Sequence, residues 1–165
     1  MIDANSFPLN TLRVILSPRG SPVTVPEDAI RREVLPSGLR LVTERMPHVR
    51  SVSIGVWLTR GSRHEPRVHE GIAHFVEHMA FNGTKNFPKL EIVSFMESIG
   101  MRFGPSVNAF TSFDETVYML QVPTDKTDVL DRSLLILEDW ARAVTFDPAE
   151  VDKERGVIVE EWRLG

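Results

Sequence analysis

The chain has 165 residues, 42% of them hydrophobic, which suits one domain with a real core. Its formal net charge of −4 offers no basic footprint for nucleic acid and no polybasic patch for a membrane surface, and no apolar run approaches the roughly 20 residues that span a bilayer. With no cysteine, disulfides and thiolate metal ligands are excluded, and histidine and carboxylate remain the available metal chemistry.

In chain order, residues 1–30 read as an N-terminal extension, Pro- and Ser-containing and strand-like only over 11–16. The first ten residues lack the positive start and long apolar stretch of a signal peptide. Segments 32–35 and 40–45 flank Pro36-Ser37-Gly38 and predict a hairpin. Over 51–58, Val52, Ile54, Val56 and Leu58 alternate with Ser51, Ser53, Gly55 and Trp57, the pattern of a half-buried strand. Arg60-Gly61-Ser62-Arg63 reads as a turn after that strand rather than a phosphate cradle. Helices are predicted over 70–81 and 88–99. Segments 106–112 and 116–122 form a second hairpin around Phe113-Asp114-Glu115. A helix over 125–144 carries Leu130, Leu134, Leu137, Ala141 and Val144 as a core stripe. Asp147-Pro148-Ala149-Glu150 opens a last helix, with Asp as N-cap, Pro at the first helical position and Glu three residues past the cap. Together these elements predict an α+β fold, a largely antiparallel sheet with helices packed on it. Trp140 and Trp162 are expected to pack, and His48, His64 and His69, which lack a paired spacing, to lie on the surface.

Chemistry concentrates in His74-Phe75-Val76-Glu77-His78. Histidines at i and i+4 stand one helical turn apart and can reach one metal ion, and Glu77 lies on the same stripe, within reach of a metal-bound water. Ile72, Phe75, Val76, Met79 and Ala80 gather on the other side, toward the core. An ordinary amphipathic helix with its polar face in water would show the same pattern. Two histidines, a further ligand and a carboxylate base are what a hydrolytic zinc site requires, and the order H-x-x-E-H is that of inverzincins. In the last helix, Glu154, Val157, Ile158 and Glu161 follow i, i+3, i+4, i+7. A carboxylate at each end of an apolar patch is explained if that face packs on the first helix and delivers one carboxylate to the metal. A solvated, Glu-rich helix end is the alternative.

The segments Gly61-Ser62-Arg63 with Glu65, Glu70 through Thr84, Asn108-Ala109-Phe110-Thr111-Ser112, and Glu154 through Glu161 resemble, in that order, blocks of the pitrilysin/insulinase-type zinc metallopeptidases. This family includes the mitochondrial processing peptidase β subunit, and the spacing around residues 101–106 looks more like its large bacterial members. The resemblance implies a zinc-dependent endopeptidase acting on extended peptides. His74, His78 and Glu161 would bind Zn2+, Glu77 would activate a zinc-bound water, and Glu154 would support the site. Glu160, about 100° from the Glu154–Glu161 stripe, ranks below Glu161 as ligand. The strand carrying Asn108, Ala109 and Phe110 would dock the substrate peptide, although from its residues alone it is a plain hairpin strand. The resemblance further implies that residues 31–165 are the N-terminal domain of a peptidase, incomplete at its C-terminus, facing a second homologous domain or subunit. A non-catalytic structural or partner-binding member of the same fold is the alternative. The compartment stays open between bacterial periplasm and cytoplasm.

Overall fold

The computed structural model describes residues 11–14, 30–102 and 104–164. Most of the expected N-terminal extension therefore lies outside the described residues. Six strands form one sheet in the order β2-β3-β1-β4-β6-β5, with β1 at Thr11–Val14, β2 at Ile30–Val34, β3 at Arg40–Glu44, β4 at Ser51–Leu58, β5 at Val107–Thr111 and β6 at Thr116–Pro123. Among the described residues, β1 with β3 is the one parallel pairing, and the other four are antiparallel. The helices are α1 at Ile72–Phe81, α2 at Glu91–Ser98, α3 at Thr127–Arg142 and α4 at Pro148–Leu164, with two 3-10 turns at Ser62–His64 and Arg67–His69. The α+β class expected from the sequence is the one observed.

Alternation along β4 sends Val52, Ile54 and Val56 to one face, where their register partners Val122, Leu120 and Tyr118 on β6 join them in the core. Burying such a side chain is worth about 1.5–3 kcal/mol, so a one-residue slip would move the whole set to the wrong face. Helix α3 covers this face with Val129, Ile136, Leu137 and Trp140, and α2 adds Ile92 and Met96. Of the stripe expected on this segment, Leu137 is buried and Leu130, Ala141 and Val144 pack partly buried against the core. Leu134 alone of that stripe is exposed, and the buried positions of α3 are Val129, Ser133, Ile136, Leu137, Asp139 and Trp140. Ser133 can be buried because its hydroxyl donates to the Val129 carbonyl at 2.7 Å, so a polar letter sits inside an apolar stripe.

The end of α1 is pinned to this core. Trp140 donates its indole N–H to the Ala80 carbonyl at 2.9 Å and makes tilted ring contacts with Phe81 and Tyr118, with ring centroids 5.0 and 5.4 Å away. Next to it on α3, the buried Asp139 accepts Thr84 Oγ1 at 2.6 Å and both the backbone N–H and Nδ2 of Asn86 at 2.8 Å, closing the loop after α1. Trp162, expected to pack, is 82% exposed; the element α4 chiefly packs against is α1.

Candidate metal centre

Helix α1 begins without a capping side chain of its own. Gly71, at the N-cap, has φ +91°, a conformation glycine adopts without a Cβ clash. Its place as cap is taken from six residues upstream. Glu65 accepts the Gly71 N–H at 2.7 Å and the Ala73 N–H at 2.6 Å, satisfying two free donors and setting a negative charge at the positive helix end. The turn carrying His74, Glu77 and His78 is thereby fixed at both ends of α1.

Helix α4 starts as its sequence dictates. Asp147 Oδ1 accepts the N–H groups of Ala149 at 2.9 Å and Glu150 at 3.2 Å, with Pro148 as first helical residue. The Lys89 ammonium, just before α2, donates to Glu150 at 2.6 Å. Its hydrogen bond, with that of Lys153, holds the Glu150 carboxyl below its ordinary range. So anchored, α4 lays Glu154, Ile158 and Glu161 toward α1. Val157, expected on the same stripe, is 45% exposed instead.

Where the two helices meet, the Nε2 atoms of His74 and His78 stand 3.1 Å apart, and Glu161 Oε2 lies 3.5 Å from each. Ligands about 2.0–2.1 Å from a tetrahedral zinc stand roughly 3.3 Å from one another, so this donor set has the dimensions of three corners of such a site. Glu154 takes a different place. Its Oε1 is 2.7 Å from His78 Nδ1, and its Oε2 accepts Asn82 Nδ2 at 2.8 Å. A carboxylate only accepts, so His78 donates from Nδ1, and in the neutral imidazole Nε2 is then the atom left to offer a lone pair on the side of His74 and Glu161. Glu160 points away, pairing with Arg163 along the outer face of α4. The residues fit a zinc ion in number, type and spacing. His74 and Glu161 are 41% and 47% exposed in their side chains and His78 19%, so the cluster opens to solvent on one side.

Glu77 is nearly buried, 9% exposed, on the sheet side of the histidine pair, and its Oε2 accepts the Thr111 hydroxyl at 2.6 Å. Its charge has a further effect. The Tyr118 phenol, fully buried in β6, is held far above its ordinary pKa of 10.0 by burial first and by the negative Glu77 second. Asn108 and Phe110 are exposed on β5, the last strand of the sheet, and Ala109 is half-buried between them. The bonds Gln121 N–H to Ser106 O and Ser112 N–H to Glu115 O fix the phase of the β5–β6 ladder. By alternation, the peptide groups of Val107, Ala109 and Thr111 face away from β6. The Ala109 N–H is engaged by the Asn108 side chain, Oδ1, at 2.9 Å.

Comparison with known proteins bears on what such a site belongs to. Residues 40–163 match the model of the family described as Insulinase (Peptidase family M16). The chain belongs to the insulinase family of peptidases. Over 131 residues, 78% of the chain, it is 46% identical to the probable zinc protease PqqL of Escherichia coli. Over 142 residues, 86% of the chain, it is 36% identical to the mitochondrial-processing peptidase subunit beta of Blastocladiella emersonii. The crystal structure of the first half of the periplasmic protease PqqL from E. coli superimposes with a TM-score of 0.79 at 43% identity over 83% of the chain. The matched region covers 14% of the first relative, 29% of the second and 30% of the solved half.

In this insulinase-family chain, all eight residues singled out from the sequence are described. Three of them, His74, His78 and Glu161, form a potential metal-holding group with ligand atoms within 4.8 Å of one another. Outside those eight, three residues carry the local geometry without having been assigned a role from sequence: Thr111 against Glu77, Asn82 against Glu154, and Glu65 at the head of α1. Asn82 stands at i+4 from His78, a spacing that could have flagged it. No spacing rule links Thr111 to Glu77, which are 34 positions apart.

Proposed function

We propose that this chain carries the catalytic site of a zinc-dependent endopeptidase that hydrolyses extended peptides, with His74, His78 and Glu161 as metal ligands and Glu77 as general base. The observation that carries the reading is the convergence of two imidazole nitrogens and one carboxylate oxygen at near-tetrahedral spacing, on the helix that also carries the nearly buried Glu77 carboxylate. Bound zinc would supply Lewis acidity, lowering the pKa of water toward about 7 and polarising a carbonyl. Glu77 would accept the proton of the attacking water and return it to the leaving amine. Glu154 would keep His78 in the tautomer that offers Nε2 to the metal, a role in which such partners typically contribute ten- to hundredfold in affinity.

An extended peptide would dock by adding a strand to β5, using the outward peptide groups of Ala109 and Thr111. In that pose an incoming carbonyl replaces Asn108 Oδ1 on the Ala109 N–H, freeing the Asn108 amide to hold the substrate. In the same reading, residues 31–165 form the zinc-bearing N-terminal domain of a peptidase with a second homologous domain or subunit facing the cluster, in keeping with a solved neighbour that is the first half of a protease. Among the described residues no helix is long and apolar enough to cross a membrane.

The test is hydrolysis of a quenched, unstructured peptide by the purified chain, zinc-loaded and chelated, with Glu77→Gln alongside. Chelator-sensitive cleavage that this substitution abolishes is the expected result. Zinc-loaded chain that binds the peptide without cleaving it, with Glu77→Gln behaving identically, would instead support the non-catalytic member of the fold.

A further inference from the structure

The base of the proposed reaction is not held by its own helix. Glu77 Oε2 receives its hydrogen bond from Thr111, the last residue of β5, at 2.6 Å. Behind it on β6 lies its register partner Thr116, 5% exposed, with Oγ1 3.4 Å from Thr111 Oγ1. Thr116 donates its own hydroxyl proton to the Arg60 carbonyl at 3.0 Å. An ionised carboxylate is an acceptor only, so the Thr111 proton is committed to Glu77 as the Thr116 proton is to Arg60. The two hydroxyls cannot exchange partners without stranding one of these acceptors. Among the described residues no hydrogen bond is made to Glu77 Oε1.

We infer that Thr111 is the positioning residue of the general base: it ties Glu77 Oε2 to the sheet and leaves Oε1 as the one oxygen that takes the proton. The inference rests on the peptidase reading above and adds to it a division of labour between the two oxygens. A glutamate side chain is long and flexible, and general-base catalysis demands placement to a fraction of an ångström, where about 1 Å of error costs on the order of a hundredfold. The Thr111 hydroxyl supplies that placement from a strand rather than from a loop. The same residue joins two functions. Its peptide groups face away from β6, with those of Ala109, so a peptide pairing with β5 would bond to the residue whose side chain aims the base.

The experiment compares Thr111→Val, which keeps the shape and removes the hydroxyl, with Thr111→Ser, which keeps the hydroxyl. In the zinc-loaded chain, Thr111→Val should lower kcat by roughly ten- to hundredfold while KM and zinc stoichiometry hold, and Thr111→Ser should recover most of the loss. Crystal structures of the metal-free variants give the second readout. The Glu77 carboxylate should stay on the residue 111 hydroxyl in the serine variant and leave its present position in the valine variant. A valine variant that keeps both the Glu77 orientation and kcat overturns the inference. So does a loss confined to KM, which would make Thr111 a docking residue, or a serine variant as impaired as valine, which would assign the effect to packing of the methyl group. If the wild-type chain shows no chelator-sensitive cleavage, the peptidase reading fails, and the crystallographic comparison still decides whether Thr111 fixes Glu77.

Discussion

Replacing Glu154 by Gln keeps the volume of the side chain and removes half of its accepting capacity. Two donors converge on this carboxylate, His78 Nδ1 at 2.7 Å and Asn82 Nδ2 at 2.8 Å, one on each oxygen. A carboxamide has one acceptor oxygen, so one donor must face an NH2 group instead. A hydrogen bond to a charged group contributes about 1.5–3 kcal/mol. With the His78 and Glu154 side chains only 19% and 16% exposed, water replaces little of it. At about 1.4 kcal/mol per factor of ten, zinc binding should weaken roughly ten- to hundredfold. Competition against a chromophoric chelator measures this directly, with Glu160→Gln as control, since Glu160 pairs only along the outer face of α4. Unchanged zinc affinity in Glu154→Gln, or an equal loss in Glu160→Gln, would refute the argument.

Three further outcomes follow from the same geometry. In Gly61→Ala, the new Cβ would lie 2.2 Å from the Ser112 carbonyl oxygen and 2.8 Å from the Glu115 nitrogen, so the turn must part from the β5–β6 hairpin. Losing the straps from Ser62 N–H to Ser112 O and Arg63 N–H to Phe113 O should cost about 2–3 kcal/mol, read by denaturant unfolding, and an unchanged midpoint would contradict the packing described. Asp139→Asn turns an NH2 toward the donors of Thr84 or Asn86 in a site 2% exposed, and should lower the melting temperature by roughly 5–15 °C. Tyr118 is the only tyrosine, so phenolate absorbance reports it alone. Its folded pKa is raised, so the associated stability is intact below pH 10.0, the ordinary value, and is lost as pH rises above it while the unfolded chain ionises. The phenolate signal should appear only together with unfolding; a reversible titration near pH 10.0 with the fold intact would contradict the burial of this ring.

What the sequence disclosed followed from periodicity. His74 and His78 are neighbours by the 3.6-residue repeat, and Glu154 and Glu161 by the same rule two turns apart, so each half of the cluster was legible before the fold was known. The Asp147 cap was legible because capping is a local bond between residues two and three apart. What was hidden depends on contacts between segments. That Thr111 meets Glu77 requires knowing which face of β5 lies under α1, a question of packing that alternation alone leaves two-fold. Glu65 escapes because the chain passes through a 3-10 turn before its carboxylate returns to cap α1. Ser133 joins the buried face of α3, unforeseen from its polarity, by satisfying its hydroxyl within its own helix. Trp162 and Val157 look like core letters, yet they lie on faces of α4 that no described element covers.

The most direct test of the central claim is the identity of the atoms around bound zinc, from an anomalous-scattering crystal structure of the zinc-loaded chain. The account predicts one ion held by Nε2 of His74, Nε2 of His78 and a carboxylate oxygen of Glu161, with Glu154 on His78 Nδ1 and Glu77 off the metal, still bonded to Thr111. A zinc ion coordinated by Glu154, Glu160 or Glu77 in place of Glu161, or bound anywhere away from the two histidines, would contradict it.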